Sequence, residues 1–253
     1  GGLALTPAPP RPDCGLRFSR AAVAGGVAPG AGTVMPGPPA AVEFTAKVVA
    51  GPAGPMVAAI ATVFADSAES ARMVHADLAV GAPPALDVIG PIQSPLAGLY
   101  QATDPSVPVG RRYRADSVWS DINLGEILGR TVAAMKQAPS PETFAVFTLA
   151  PNAVALPQNA AFSCTGRIFG AVYALWQEAT DDDANAAWLH GLMADLSPLA
   201  TGAYVGLCDL DRPGGCLPTH SAPAAQRLAD LRRRFDPVGT FSTAPAAAAL
   251  AAE

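Results

Sequence analysis

Cys208, Cys216 and His220 come nearest, by type and spacing, to a reactive cluster in this chain. The two thiols flank Arg212-Pro213-Gly214-Gly215, a turn-forming stretch that would let them approach each other. With His220 they offer three soft ligands of the kind zinc takes, but no pair of cysteines has the close Cys-x-x-Cys spacing of a structural zinc site. Spacing alone admits a zinc site, a loop disulfide or free thiols. The other two of the four cysteines, Cys14 and Cys164, are too scattered for a disulfide-scaffold protein. The triplet Asp181-Asp182-Asp183 offers oxygen ligands to a divalent cation. Capping of a following helix accounts for it better, because carboxylates in a first turn meet unpaired N–H groups and the positive end of the macrodipole. No Gly-x-Ser-x-Gly elbow, phosphate loop, His-Glu-x-x-His or dinucleotide fingerprint occurs, which removes the hydrolase, nucleotide-triphosphatase and metalloprotease classes.

The elements that must position any site can be read in order. Residues 1–41 are rich in Pro, Gly and Ala with no sustained period, and read as a linker or a remnant of another domain. Residues 42–49 and 56–65 read as two paired strands. In the second, Val57, Ala59, Ala61 and Val63 share one face and Ile60 and Phe64 the other, so both faces are apolar, as in a central strand. Asp66 or Ser67 caps a helix carrying Ala71, Val74 and Leu78, and His75 falls off that stripe onto the expected surface. Residues 84–108 read as a loop. A helix from Ser120 or Asp121 carries Leu124, Ile127, Leu128, Thr131 and Met135. Residues 144–149 and 167–176 read as strands, and the acidic triplet opens a helix bearing Trp188, Leu192, Met193 and Leu196. Residues 203–209 form a further short strand. The last helix aligns Leu228, Leu231 and Phe235, crowds Arg232, Arg233 and Arg234 into its final turn, and stops at Asp236-Pro237, after which Phe241 is expected to dock as a buried residue. Strands and helices mix without a βαβ rhythm, which predicts an α+β fold: a mainly antiparallel sheet covered by helices on one side, with a C-terminal helical segment.

Composition narrows the partners. The net charge of -5 and the lack of a basic stripe beyond Arg111 to Arg114 and Arg232 to Arg234, both read as solvated faces, exclude nucleic acid. No apolar run reaches the ~18 residues of a membrane span, so a soluble chain is expected. Half of the residues are hydrophobic, enough for a substantial core. The chain opens on Gly1-Gly2 with no charged n-region and apolar core, so no signal peptide is read, which favours a cytoplasmic location.

Four stretches share a larger pattern. The first runs from Leu86-Asp87-Val88-Ile89-Gly90-Pro91 through Tyr100-Gln101-Ala102-Thr103-Asp104 to Pro108-Val109-Gly110 and Tyr113. The second joins Asn152-Ala153-Val154 to Ala161-Phe162 and Arg167; the third spaces Trp176, Trp188, Leu196-Ser197-Pro198 and Gly202-Ala203-Tyr204-Val205. The fourth is the tail from Arg227 to Phe241. In this order they resemble the C-terminal half of the berberine-bridge-enzyme-like family of FAD-linked oxidases, flavoproteins of the vanillyl-alcohol-oxidase type. The resemblance implies a substrate domain over residues 42–209, a C-terminal segment over 210–241 that returns to a flavin domain, and a frayed tail over 242–253. It implies FAD as cofactor, held by a flavin domain upstream in cis or in trans, and a small alcohol, sugar or secondary metabolite as substrate. Tyr100, Tyr113, Arg167, Tyr173 and Tyr204 are the substrate-binding candidates; no residue is assigned as catalytic base, cofactor ligand or metal ligand. Two departures stand out. Ser221-Ala222-Pro223-Ala224 replaces the family's Tyr-Gly-x-Asn, and Pro151-Asn152 replaces its Gly-Gly pair. They leave a second implication, a degenerate, non-catalytic domain used for binding or interaction.

Overall fold

The computed structural model describes residues 16–24, 42–80, 85–94, 96–149, 156 and 160–241. Seven strands form one antiparallel sheet: β1 (Leu16–Ala24), β2 (Val42–Val49), β3 (Met56–Phe64), β4 (Asp87–Ser94), β5 (Arg112–Ser120), β6 (Phe144–Leu149) and β7 (Ile168–Trp176), in the order β4-β1-β3-β2-β6-β7-β5. Helices α1 (Ala68–Ala79), α3 (Leu124–Met135) and α4 (Asp182–Leu196) pack on the sheet, α2 (Leu96–Thr103) follows β4, and α5 (Ala222–Phe235) is the last described helix. The α+β class and the one-sided cover are as the sequence predicts.

Pleating explains the one-sidedness. Phe147 pairs with Gly170 across β6 and β7, and Gly170 pairs with Val118 across β7 and β5. Residues two apart share a face, so Ala46, Val48, Ala145, Phe147, Ile168, Val172, Ala174 and Val118 all point to the helices. There they meet Ile127, Leu128 and Val132 of α3 and Leu189, Leu192, Met193 and Leu196 of α4 in one core. Each fully buried large side chain of this set stabilises the fold by about 1.5–3 kcal/mol. A smaller cluster sets Ala71 of α1 against Val42 and Val63. Ser67 caps α1, accepting from the Ser70 amide at 3.1 Å.

Several expectations are corrected. Within residues 1–41, Leu16–Ala24 is strand β1, paired on both sides by β3 and β4; the rest of that segment, like 242–253, lies outside the described residues. The 84–108 loop contains β4 and α2. Residues 112–120 are a strand, which moves the cap of α3 to Asn123, whose Oδ1 accepts from the Gly125 amide at 2.7 Å. Residues 203–209 are not a strand. After one bridge from Gly202 to Trp119, the Tyr204 amide turns to the Ser117 hydroxyl at 3.0 Å, ending the ladder in a 3-10 turn over Val205–Leu207. His75 is buried, not on the surface. Asp181 is the N-cap of α4 but makes no side-chain cap bond, and Asp182 instead accepts from Arg112 and Trp176 Nε1. The Arg111 to Arg114 cluster is no bare solvated face either, because Arg111 pairs with Glu142 and Arg114 with Asp209. The stripe of α5 does form, yet Phe235 and Phe241 are about 70% exposed and no α5 residue is buried.

A buried charge network ties the segment after α4 to β5. Asp116 is 1% exposed and accepts from Arg212 Nη1 at 3.0 Å and the Ser117 amide at 2.8 Å. Asp209 accepts from Arg114 at 3.0 Å and lies 2.8 Å from His190 Nε2. Burial raises the Asp116 carboxyl above its ordinary value despite these partners. Burial also pushes Asp209 up, but the bonds from His190 and Arg114 outweigh it and leave that carboxyl lowered.

Two stability measurements test this account. A Cβ on Gly170 would stand 2.6 Å from Phe147 Cε1 and 2.9 Å from Val118 Cγ1. Gly170→Ala therefore destabilises by ~1–3 kcal/mol, read as a lower urea midpoint at unchanged slope. Arg212→Met leaves Asp116 buried without its counter-charge, a loss of ~3–5 kcal/mol near neutral pH. The sign in pH follows from a raised carboxyl: its protonated form is favoured in the folded state, so the penalty is full above the folded pKa and fades as pH falls toward the unfolded value of about 4. Urea curves should show a smaller deficit at about pH 5 than at about pH 7.5. A deficit independent of pH would refute the assignment to Asp116.

Candidate functional site

The sheet face turned away from α1, α3 and α4 is built by the same register with opposite parity. Three rows cross it: Ile60-Thr45-Thr148-Phe169-Trp119, then Ala58-Lys47-Val146-Ala171-Ser117, then Met56-Val49-Phe144-Tyr173-Ala115. Thr45, Lys47, Val146, Thr148, Phe169 and Tyr173 are half-buried, whereas their neighbours on the helix side are closed off. The signal was present in β2, where Glu43, Thr45 and Lys47 alternate with Val42, Phe44, Ala46 and Val48. A strand of period two with one polar face marks that face as uncovered by core.

Each part of the face has a distinct chemistry. The Thr45 and Thr148 hydroxyls are 3.2 Å apart. Lys47 Nζ donates to Ser106 Oγ at 2.6 Å and stands 4.5 Å over the Phe144 ring. Beside it opens a cavity of about 330 Å³, lined by Lys47, Val49, Ser106, Glu142 and Phe144. The Glu142 carboxyl there is held below its ordinary value by the hydrogen bond from Arg111. At the β5 edge, Trp119 lies 4.6 Å from Phe169 and 6.0 Å from Phe162, and Tyr204 meets both phenylalanines edge-on. The Trp119 indole N–H is buried with no hydrogen-bond partner among the described residues. The three rows carry no carboxylate.

The five residues singled out by the sequence separate in space. Tyr173 is on the face, stacked on Phe144 with ring centres 4.8 Å apart. Burial raises its phenol pKa, so near neutral pH it is a hydrogen-bond donor and not a tyrosinate. Tyr204 closes the β5 edge of the face. Tyr113 stands on β5 one row beyond Ala115, and its hydroxyl donates to the Pro108 carbonyl. Tyr100 is on α2, exposed and outside the rows. Arg167 precedes β7: its amide donates to Asp121 Oδ1 at 2.8 Å and its guanidinium to the Asp121 carbonyl, so it fastens the turn between β5 and α3. Sequence reasoning missed Thr45, Lys47, Trp119, Thr148 and Phe169, because strand β5 and the parity of β6 against β2 were not readable from one segment at a time.

Cys164, Cys208 and Cys216 are free thiols, and no group of three His, Cys, Asp or Glu side chains able to hold a metal occurs among the described residues. No helix among them is long and apolar enough to cross a membrane.

No family model matches the chain, and no curated protein does. Solved structures do. GilR, in complex with pregilvocarcin and described as an oxidoreductase that catalyses the terminal step of gilvocarcin biosynthesis, superposes with a TM-score of 0.71 at 17% identity, over 92% of this chain and 56% of that one. A variant of BBE-like 1 from Physcomitrella patens gives 0.71 at 14% identity, over 92% and 55%. CrmK, a flavoenzyme involved in shunt product recycling in caerulomycin biosynthesis, gives 0.68 at 16% identity, over 93% and 56%. The chain thus spans just over half the length of the proteins it overlays, and over that span it has the fold found in berberine-bridge-enzyme-like flavoenzymes.

Proposed function

We propose that this chain is the substrate domain of an FAD-dependent oxidoreductase acting on a small alcohol, sugar or secondary metabolite. The observation that carries the reading is the sheet face turned away from the helices, mixed in polarity and half-buried at Thr45, Lys47, Thr148, Phe169 and Tyr173, in a fold shared with part of larger flavoenzymes. FAD would be held by a flavin domain in cis or in trans, and when bound it supplies a hydride acceptor. The residues of this chain fit the complementary task. Thr45, Thr148 and the Tyr173 phenol offer hydrogen bonds to a substrate hydroxyl, Phe169 and Trp119 give an apolar floor, and the sheet excludes water from one side. A second surface suits the companion domain: Leu231, Phe235, Val238 and Phe241 are all exposed around the end of α5.

One observation favours the second reading, a non-catalytic binding or interaction domain. Proton removal needs a group that accepts a proton near neutral pH. The three rows have no carboxylate, the nearest being Glu43 one row beyond them and Glu142, tied to Arg111, in the adjoining cavity; Tyr173 is held as a phenol, and Ser221 to Ala224 offer no tyrosine at the start of α5.

A polypeptide extended into the coding sequence preceding Gly1 separates the two. It is expected to purify yellow, with the visible absorbance of bound flavin, while the 253-residue chain is colourless. A colourless extended protein that releases no flavin on denaturation rules out a flavin domain in cis.

A further inference from the structure

Cys208 and Cys216 are half-buried and bracket a loop whose ends are drawn together by its own hydrogen bonds. The Arg212 amide donates to the Asp209 carbonyl at 3.2 Å, the Gly215 amide to the Arg212 carbonyl at 3.0 Å, and Arg212 Nε to the Gly215 carbonyl at 2.9 Å. Gly214 and Gly215 turn the chain back with φ of 81° and 85°, a region open to glycine and strained for other residues. The Cys216 thiol then lies 3.0 Å from the carbonyl oxygen of Asp209, the residue next to Cys208. Burial, followed by the neighbouring Cys216, raises the Cys208 thiol well above its ordinary value. Cys164 is buried in a different place, with Gly202 against its Cβ.

We propose that Cys208 and Cys216 are a redox modification site, a dithiol that closes to an intramolecular disulfide by exchange with a small-molecule disulfide. The thiolate of one cysteine attacks the donor, releasing one donor thiol and leaving a mixed disulfide. The neighbouring thiol loses its proton, attacks the protein sulfur of that mixed disulfide and expels the second donor thiol. Two protein thiols are oxidised and one donor disulfide is reduced to two thiols. The first attack is slow at neutral pH if it falls to Cys208, since its thiolate is disfavoured; the ring-closing step is fast because the partner is already in place. The loop is worth closing, since it carries both Arg212 and Asp209, the two residues through which this segment grips β5 and α4.

Differential alkylation of the folded 253-residue chain after incubation with oxidised glutathione tests the site. Trypsin leaves the Arg212-Pro213 bond intact, so Cys208 and Cys216 fall in one peptide that contains no other cysteine and begins after Arg167. The expected result is a peptide lighter by two hydrogens, unalkylated at both positions until reduced, with no glutathione attached. In Cys208→Ser the same treatment should leave Cys216 carrying glutathione, because the resolving thiol is gone. The proposal is overturned if wild-type Cys208 and Cys216 stay alkylatable, if they accumulate glutathione as the Ser variant does, or if either pairs with Cys14 or Cys164.

Discussion

Gly170 faces Phe147 on one side and Val118 on the other, and the parity of the whole central sheet is locked by that three-strand contact. A slip of one residue at β7 would turn Ile168, Val172 and Ala174 away from α3 and α4 and bring Phe169, Ala171 and Tyr173 under them. The helix face would then contain a phenol and lose its tightest contact. Because the register cannot slip without this loss, the opposite face is equally determined. Thr45, Lys47, Thr148, Phe169, Trp119 and Tyr173 lie together as a consequence of how the core packs, and the Thr45–Thr148 and Trp119–Phe169 contacts follow from that placement.

The second constraint is electrostatic. Arg114 and Asp116 share the helix side of β5 with Val118, so the core-facing row of an edge strand carries two charges. Asp116 is buried more deeply than its partners can offset, while Asp209 is over-compensated. The ion pairs of these two carboxylates attach the chain after α4. Arg212 must return to Asp116 and Asp209 to Arg114 and His190, and the segment between Val205 and Gly215 is therefore held without a strand. The hydrogen bond that the Tyr204 amide donates to the Ser117 hydroxyl stands where a β-ladder would otherwise continue.

Legibility in the sequence followed the strength of local periodicity. Strands β2, β3, β6 and β7 and helices α1, α3 and α4 carry clear period-two or helical patterns, and they were readable to within a few residues. β5 was not, because its sequence from Arg112 to Ser120 places Arg114 and Asp116 where apolar residues would announce a strand. β1 was hidden by flanking glycine and proline, and β4 by Gly90 and Pro91 within it. The fold class survived these misses since both faces of β3 are apolar, which already required neighbours on each side. The site was less legible: a sheet face is assembled from four strands, and only pairing shows that Thr45 stands opposite Thr148. Tyr173 was found because its strand was found. Arg167 stands out by resemblance alone, and its contacts to Asp121 give it a fastening role.

The apolar stripe of α5 bears on the proposed reading from an independent direction. A helix of 14 residues is marginal in water on its own, and most helices gain their stability from burying one face. Here the stripe of Leu228, Leu231 and Phe235 is regular, Pro223 sits at the first turn, and arginines suit the last turn, yet the helix buries no residue. Asp236 reinforces the stop by accepting from the Thr240 and Phe241 amides at 2.6 and 3.0 Å, which presents Val238 and Phe241 beside Phe235 in a fixed turn. Local signals this consistent specify an element whose apolar face has a counterpart, and Leu231, Phe235, Val238 and Phe241 are all exposed within eleven residues of chain, which is a liability for a free surface. On the proposed reading both the stripe and the open sheet face meet the flavin domain. A single companion then accounts for two uncovered surfaces that the core of this chain leaves unexplained.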